Sequence, residues 1–399
     1  MTPNRPAFRA TLFALPLATV VALAACAAPI AAPSDSPRPA SPSSSQPAAD
    51  PGPEPRIDAD CESLIDLGAM QALLGTAGEP VSPVPADVAN PDEVAVLQLG
   101  GLECRWTNGL AGWYWTGPDP TAQTVALRVL PEGLEQAAEY VDLYRIADPT
   151  YGDHVQGPRC GAPVVAEYTG FCELYGVIGA TWVELTVGGI VADPGTDAVL
   201  LEAFRRVTDP MVEQLQPLVP EPRWTAPALS GVTECETVLP SEQAQEITGM
   251  DGIRVGLTWD GPRVSQYFYA TDQTGAKRCS LAFADRDGGY GEIHLLPGGS
   301  WGFDRYRDAW LAEGAVELTV GGLPEGDAML RCEDVSEHCR LDLRVMGDWV
   351  RVAFPPVPGD EVDYLPDFDF DAARAAIVPL AEAVVANISA NASSSAPAQ

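Results

Sequence analysis

Basic charge is scarce in this chain: 23 Lys and Arg stand against 56 Asp and Glu in 399 residues, a formal net charge of −33. Lysine is nearly missing, Lys277 being the single one, and histidine is confined to His154, His294 and His338. So few cations exclude a protein that grips a phosphate backbone, because such binding needs clustered Lys and Arg to release counterions. No Cys-x-x-Cys pair occurs, which removes the usual zinc spacing. Charged residues make up 20% and apolar ones 46%. That balance excludes a disordered or multispanning chain and fits one or two soluble domains.

One long apolar run is present, Thr11 to Ala25, preceded by Arg5 and Arg9. At about 15 residues, with Pro16 inside it, it is too short for a hydrocarbon core roughly 30 Å thick and fits a signal peptide over residues 1–25. The run closes on Leu23-Ala24-Ala25-Cys26. This resembles the bacterial lipobox, whose Cys is acylated and becomes the new N-terminus. Two or more acyl chains hold a protein stably on a bilayer, so the expected location is the cell membrane, lipid-anchored through Cys26 on the extracytoplasmic face. Residues 26–56 then form a Pro-, Ala- and Ser-rich tether, and 389–399 a tail of similar composition. Neither carries enough apolar surface to order itself.

Beyond Cys26 there are eight cysteines: Cys61, Cys104, Cys160, Cys172, Cys235, Cys279, Cys332 and Cys339. An even number in an exported chain points to disulfides, though eight thiols allow 105 pairings. An internal repeat narrows the choice. Cys61-Glu62-Ser63-Leu64-Ile65 answers Cys235-Glu236-Thr237-Val238-Leu239, and Gly75 answers Gly249. Val129-Leu130-Pro131-Glu132-Gly133 answers Leu295-Leu296-Pro297-Gly298-Gly299. Trp182 follows Cys172, and Trp349 follows Cys339, at the same distance. Each copy closes on an apolar helical stretch holding a proline, Pro210 or Pro379. Pairing within each copy is then the economical solution: Cys61–Cys104, Cys160–Cys172, Cys235–Cys279 and Cys332–Cys339.

Two tandem similar domains, 57–222 and 232–388, are expected on either side of a proline-rich boundary. The periodicities within a copy define its class. Leu67, Met70, Leu73 and Leu74 share a helical face; 125–129 and 182–187 alternate with period two, as strands exposing one face. Helices are expected over 134–145, 304–311, 197–215 and 371–388, and a hairpin turn at Gly347-Asp348. Strands arranged as hairpins predict an α+β fold, each domain an antiparallel sheet with helices on one face.

Cys61-Glu62-Ser63-Leu64-Ile65, Leu74-Gly75 and Cys104-Arg105-Trp106 resemble the Cys-x-Leu-Leu, Leu-Gly and Cys-x-Trp marks of an actinobacterial family of cell-envelope lipoproteins of unknown function. Here the first mark carries one extra residue, and Cys279-Ser280-Leu281 lacks the Trp. The resemblance implies an envelope location and brings no catalytic residue with it.

Chemical candidates are few. Gly298-Gly299-Ser300-Trp301-Gly302 fits Gly-x-Ser-x-Gly between a strand and a helix, the setting of a hydrolase nucleophile at Ser300; a glycine turn explains the same residues. The three histidines are expected in surface or capping roles. Asp367, Asp369 and Asp371 open like a calcium loop, but Ala372 and Val378 stand where Gly and Glu are needed. Trp106, Trp113 and Trp115, set around Gly109 and Gly112, form a candidate binding patch or part of the core. No cofactor is implied. The leading expectation is a non-enzymatic lipoprotein binding a small ligand or protein partner, through a sheet face or the groove between domains. A serine hydrolase and a structural subunit of a membrane complex are the alternatives.

Overall fold

The computed structural model describes residues 52–75, 79–84, 90–109, 122–144, 150–163, 169–224, 232, 234–258, 265–283, 289–332, 339–354 and 370–395. The first copy runs α1 (Cys61–Leu64), α2 (Leu67–Leu74), β1 (Ser82–Pro83), α3 (Ala95–Gln98), β2 (Leu102–Thr107), β3 (Thr124–Leu130), α4 (Leu134–Tyr144), β4 (Val155–Gly161), β5 (Gly170–Ile178), β6 (Thr181–Ile190) and α5 (Asp197–Leu215). The second runs α6 (Cys235–Val238), α7 (Ser241–Thr248), β7 (Ile253–Leu257), α8 (Gln266–Thr274), β8 (Lys277–Phe283), β9 (Gly289–Leu296), α9 (Ser300–Ala312), β10 (Val316–Glu317), β11 (Ala328–Cys332), β12 (Cys339–Val345), β13 (Asp348–Ala353) and α10 (Phe370–Ser395).

Both sheets are wholly antiparallel, ordered β1-β2-β3-β6-β5-β4 and β10-β11-β12-β13-β9-β8-β7. Read from β7 and without β10, the second order repeats the first strand for strand. The duplication therefore extends to topology, and the α+β class with two similar sheet-and-helix units holds. All four expected disulfides are present. In each copy one ties the first helix to a strand, and the other joins directly opposed residues of a hairpin, Cys160 with Cys172 and Cys332 with Cys339.

Local signals account for the element ends. Asp60 accepts from Ser63 N while Ser63 Oγ meets Asp60 N, a capping box on α1, and Asp66 caps α2 through Gly68 and Ala69. Gly249 and Gly275 stop α7 and α8 in the left-handed region. Val345 pairs with Asp348 across a two-residue turn in which Met346 and Gly347 both have positive φ, the twist a tight hairpin requires.

Three cores result. One face of the first sheet (Val125, Leu127, Leu185) packs on α1, α2 and α5, and one face of the second (Ile293, Leu341, Val350) packs on α6, α7 and α10. The third joins the copies: Leu99, Leu130 and Trp182 of the first meet Ala270, Trp301, Trp310 and Trp349 of the second. The strands expected to expose one face are instead covered on both, and every residue of β13 is buried. The partner copy supplies the second cover, which strand alternation cannot reveal. Two further expectations change. Gly52 and Pro53, assigned to the tether, are buried, and α10 continues past Ile388 to Ser395. Asn387 and Asn391 hold that helix by donating to carbonyls of Val238 and Thr237.

A candidate site at the seam between the copies

The seam is built by exchange. Gln98, ending α3 of the first copy, donates to Pro297 O at 2.8 Å and accepts from Trp301 Nε1 at 3.1 Å, both in the second. Gln266, opening α8 of the second copy, donates to Trp182 O at 2.8 Å, while its backbone N–H meets Glu184 Oε1 at 2.8 Å in the first. These are buried polar groups with partners across the seam, so neither copy satisfies them alone.

Between the two glutamines lies a cluster of ionisable side chains. Glu292 and His294 sit two apart on β9 and so share a face, and Arg278 is opposite His294 on β8. Arg278 holds both Glu292 oxygens, at 2.7 and 2.9 Å. The His294 ring meets Glu292 Oε2 through Nε2 at 3.1 Å and Asp92 Oδ1 through Nδ1 at 2.5 Å. Asp92 belongs to the first copy, in the turn before α3, and its second oxygen accepts from Tyr267 at 2.5 Å. Beside them Arg351, opposite His294 on β13, donates to Asp342 and to Asn90 of the first copy. His294, Asp92, Asp342 and Arg351 are fully buried.

A carboxylate on each ring nitrogen requires both nitrogens to donate, which only imidazolium does. The electrostatics agree. Burial would lower the His294 pKa, but the Asp92 charge and the hydrogen bonds that the ring donates to both carboxylates push it up to about 9. Burial would raise Glu292, yet His294 and Arg278 hold it down at about 2. Asp92 is likewise lowered against its burial, by His294 and then Arg278. In the first copy Glu184 is raised because burial outweighs Arg128 and the Gln266 amide. His294 is thus a held charge. With both nitrogens committed it has no lone pair to accept a substrate proton at neutral pH, so the cluster acts as a buried ionic bolt.

The other sequence candidates fall elsewhere. Trp106 is in the first core, 2% exposed, because β2 turns that side chain toward Val125 and the α5 side; it is no part of a surface patch. Trp113, Trp115, Cys26, His338, Asp367 and Asp369 lie outside the described residues, and Asp371 is in the first turn of α10. Among the described residues no group of three or more His, Cys, Asp or Glu could hold a metal. His154 is half exposed beside Asp142, as a surface role predicts, whereas His294 is not.

Ser300 opens α9 after an antiparallel strand, so the parallel-sheet setting of a nucleophile elbow is missing. Packing explains the glycines of its motif. Gly298 has φ 67°, and a Cβ on Gly302 would lie 2.7 Å from the Trp349 ring. A shallow groove of about 610 Å³ runs between the α1–α2 corner and α5, lined by Leu64, Ile65, Val207, Pro210 and Gln214 among others. It lies on the far side of the first sheet from the ionic cluster.

The network was missed in sequence because its strand members read as solvent-facing positions of half-exposed strands, while Asp92 and Tyr267 come from a turn and a helix distant in sequence. A usable signal was the pair Glu292 and His294 alternating with Ile293 and Leu295, on strands so poor in lysine. No family model matches the chain, and no curated protein matches it. A search of solved structures returns the di-domain ARO/CYC StfQ from the steffimycin biosynthetic pathway, at 10% identity over 86% of this chain and 95% of that one. Its TM-score of 0.17 is too low to carry an argument about fold or activity.

Proposed function

We propose that this is an exported, lipid-anchored envelope protein that works by binding, as a non-enzymatic two-copy scaffold. The observation that carries the reading is the set of four disulfides, placed alike in both copies, behind a signal-like run ending in Cys26. Disulfides of this kind belong to oxidising compartments outside the cytoplasm. The binding role is supported by the seam, where His294 is locked between two carboxylates and is not free to act as a general base. The groove between the copies, an expected ligand site, is filled by Trp182, Trp301 and Trp349, so partner contact falls on an outer surface. The partner class is a protein or small ligand of the envelope; the charge of −33 argues against nucleic acid and anionic lipid headgroups.

The test is expression of the full chain in a bacterium with lipoprotein processing. The mature N-terminal peptide should carry acyl chains on Cys26 and the protein should partition with membranes, while Cys26→Ser should release it. An unacylated mature terminus would refute the anchor. Crosslinking in intact cells should then capture a partner in the anchored form, and a fluorophosphonate that labelled Ser300 would overturn the non-enzymatic reading.

A further inference from the structure

Residues 52–57 cross the seam, and each of their contacts is specific. Gly52 has φ +76°, and a Cβ there would lie 2.8 Å from Trp301 Cβ, so this backbone lies flat on the tryptophan of α9. Arg305, one turn along α9, donates to Pro53 O at 3.3 Å and stacks its guanidinium 4.7 Å from the Trp301 ring centre. Three residues later the chain is on the other copy. Arg56 N donates to Gly100 O at 2.8 Å, its side chain lies on Gly100, and its guanidinium reaches Glu132 at 2.5 Å and Glu221 O at 2.7 Å. Glu221 N returns a bond to Arg56 O at 2.7 Å, and Ile57 is buried in the first core.

We propose that the Trp301–Arg305 face is a docking groove for a proline-rich segment, that its occupant is this chain's own Gly52-Pro53, and that residues 52–57, running on to the other copy, are a clasp closing the seam. The chemistry is akin to proline-rich recognition: Pro53 offers its carbonyl to the Arg305 guanidinium while the Trp301 side chain packs on the Gly52 backbone. Glycine at 52 is required by both the positive φ and the contact with Trp301. The segment Pro51-Gly52-Pro53-Glu54-Pro55 loses little entropy on docking, because proline has already fixed much of its backbone. The clasp has a functional consequence. Whatever precedes residue 52 is attached at the junction of the copies and not to one of them, so a tether would present both copies together.

The experiment uses the full mature chain carrying Cys26→Ser, with hydrogen exchange followed by mass spectrometry. In Gly52→Val the segment should lift off. Exchange should rise about tenfold or more at 52–57 and also at 97–101 in one copy and 301–305 in the other, with α5 and α10 unchanged. A synthetic peptide of residues 49–58 added in trans should restore protection at both distant sites, and the same peptide with Gly52→Val should not. Arg305→Ala, which leaves the backbone undisturbed, should give the same pattern should Gly52→Val fail to fold. A rise confined to 52–57, protection of 52–57 retained in Arg305→Ala, or no response to the peptide would each overturn the clasp.

Discussion

Raising the pH from 7 to 10 should weaken this protein through His294. Its pKa is about 9 in the fold against about 6.5 in an unfolded chain. A raised pKa means that the fold binds the proton more tightly than the unfolded chain. The resulting stability is complete below about pH 6.5 and is lost as pH climbs through about 9. A difference of about 2.5 units at 1.36 kcal/mol each amounts to roughly 3 kcal/mol, a large share of the 5–15 kcal/mol typical of a whole domain. Lysine and cysteine add little, because there is one lysine and the eight paired cysteines do not titrate. Buried tyrosines such as Tyr267, raised by burial and then Asp92, cost stability near pH 10 as the unfolded chain ionises, a loss that cancels on comparison with a His294 variant. His294→Gln should cost about 3–5 kcal/mol at pH 7, since Asp92 and Glu292 lose their shared cation. The gap between the two proteins should then shrink by roughly 2.5 kcal/mol from pH 7 to pH 10, the contribution being already short of complete at pH 7. Urea unfolding at both pH values measures it. Equal gaps at pH 7 and 10 would mean that His294 is neutral in the fold, and the imidazolium assignment would fail.

Three further outcomes follow from the same contacts. On the acid side Glu292, held at about 2, contributes stability that is present above its ordinary pKa of about 4.3 and lost as pH falls toward 2; Glu292→Gln should flatten that part of the stability curve. Gln98→Ala strands Pro297 O and Trp301 Nε1 at the seam and should cost about 1–3 kcal/mol, visible as a lower urea midpoint and a changed Trp301 fluorescence. Replacing the pair Cys61–Cys104, which closes 43 residues, should cost about 4 kcal/mol by loop entropy, and Cys332–Cys339, which closes 7, about 2.4 kcal/mol. Equal costs for the two would show that unfolded-chain entropy is not their main effect.

The parts legible in the sequence were those fixed by local chemistry. The repeat of Cys, Gly and Trp positions led to the four disulfides found, because matched spacings make pairing within each copy the economical solution. The closing helix at Asp197–Leu215 was read with its ends, since an apolar period of 3.6 survives an internal proline. The hairpin was read from Gly347 but placed one residue late: the turn is Met346-Gly347, and Asp348, expected in it, already pairs with Val345. What failed needed contacts distant in sequence. Trp106 reads the same in a core as on a surface. Arg128, Glu184 and His294 look solvated until α8 or the Asp92 turn is laid over them, and neither α3 nor α8 shows a strong helical period of its own. Each of those helices is short and is held by bonds to the partner copy, Gln98 to Pro297 and Trp301 and Gln266 to Trp182 and Glu184, so its order comes from packing more than from propensity.

The equivalent strand positions also show why the copies do not part. In the first sheet Arg128 stands opposite Glu184 and is bonded to Glu103, so its charge is answered by carboxylates of its own copy. In the second the same two positions are His294 and Arg351, two cations side by side, with Arg278 a third next to His294. Glu292 and Asp342 answer two of the three charges, and burial forbids leaving the last one unpaired. Asp92, reaching in from the first copy, supplies the missing carboxylate. A second copy cut free would have to lose the His294 proton or admit water to its sheet. In the intact chain it does neither, so the duplicated module has diverged into halves whose charges close only when they are joined.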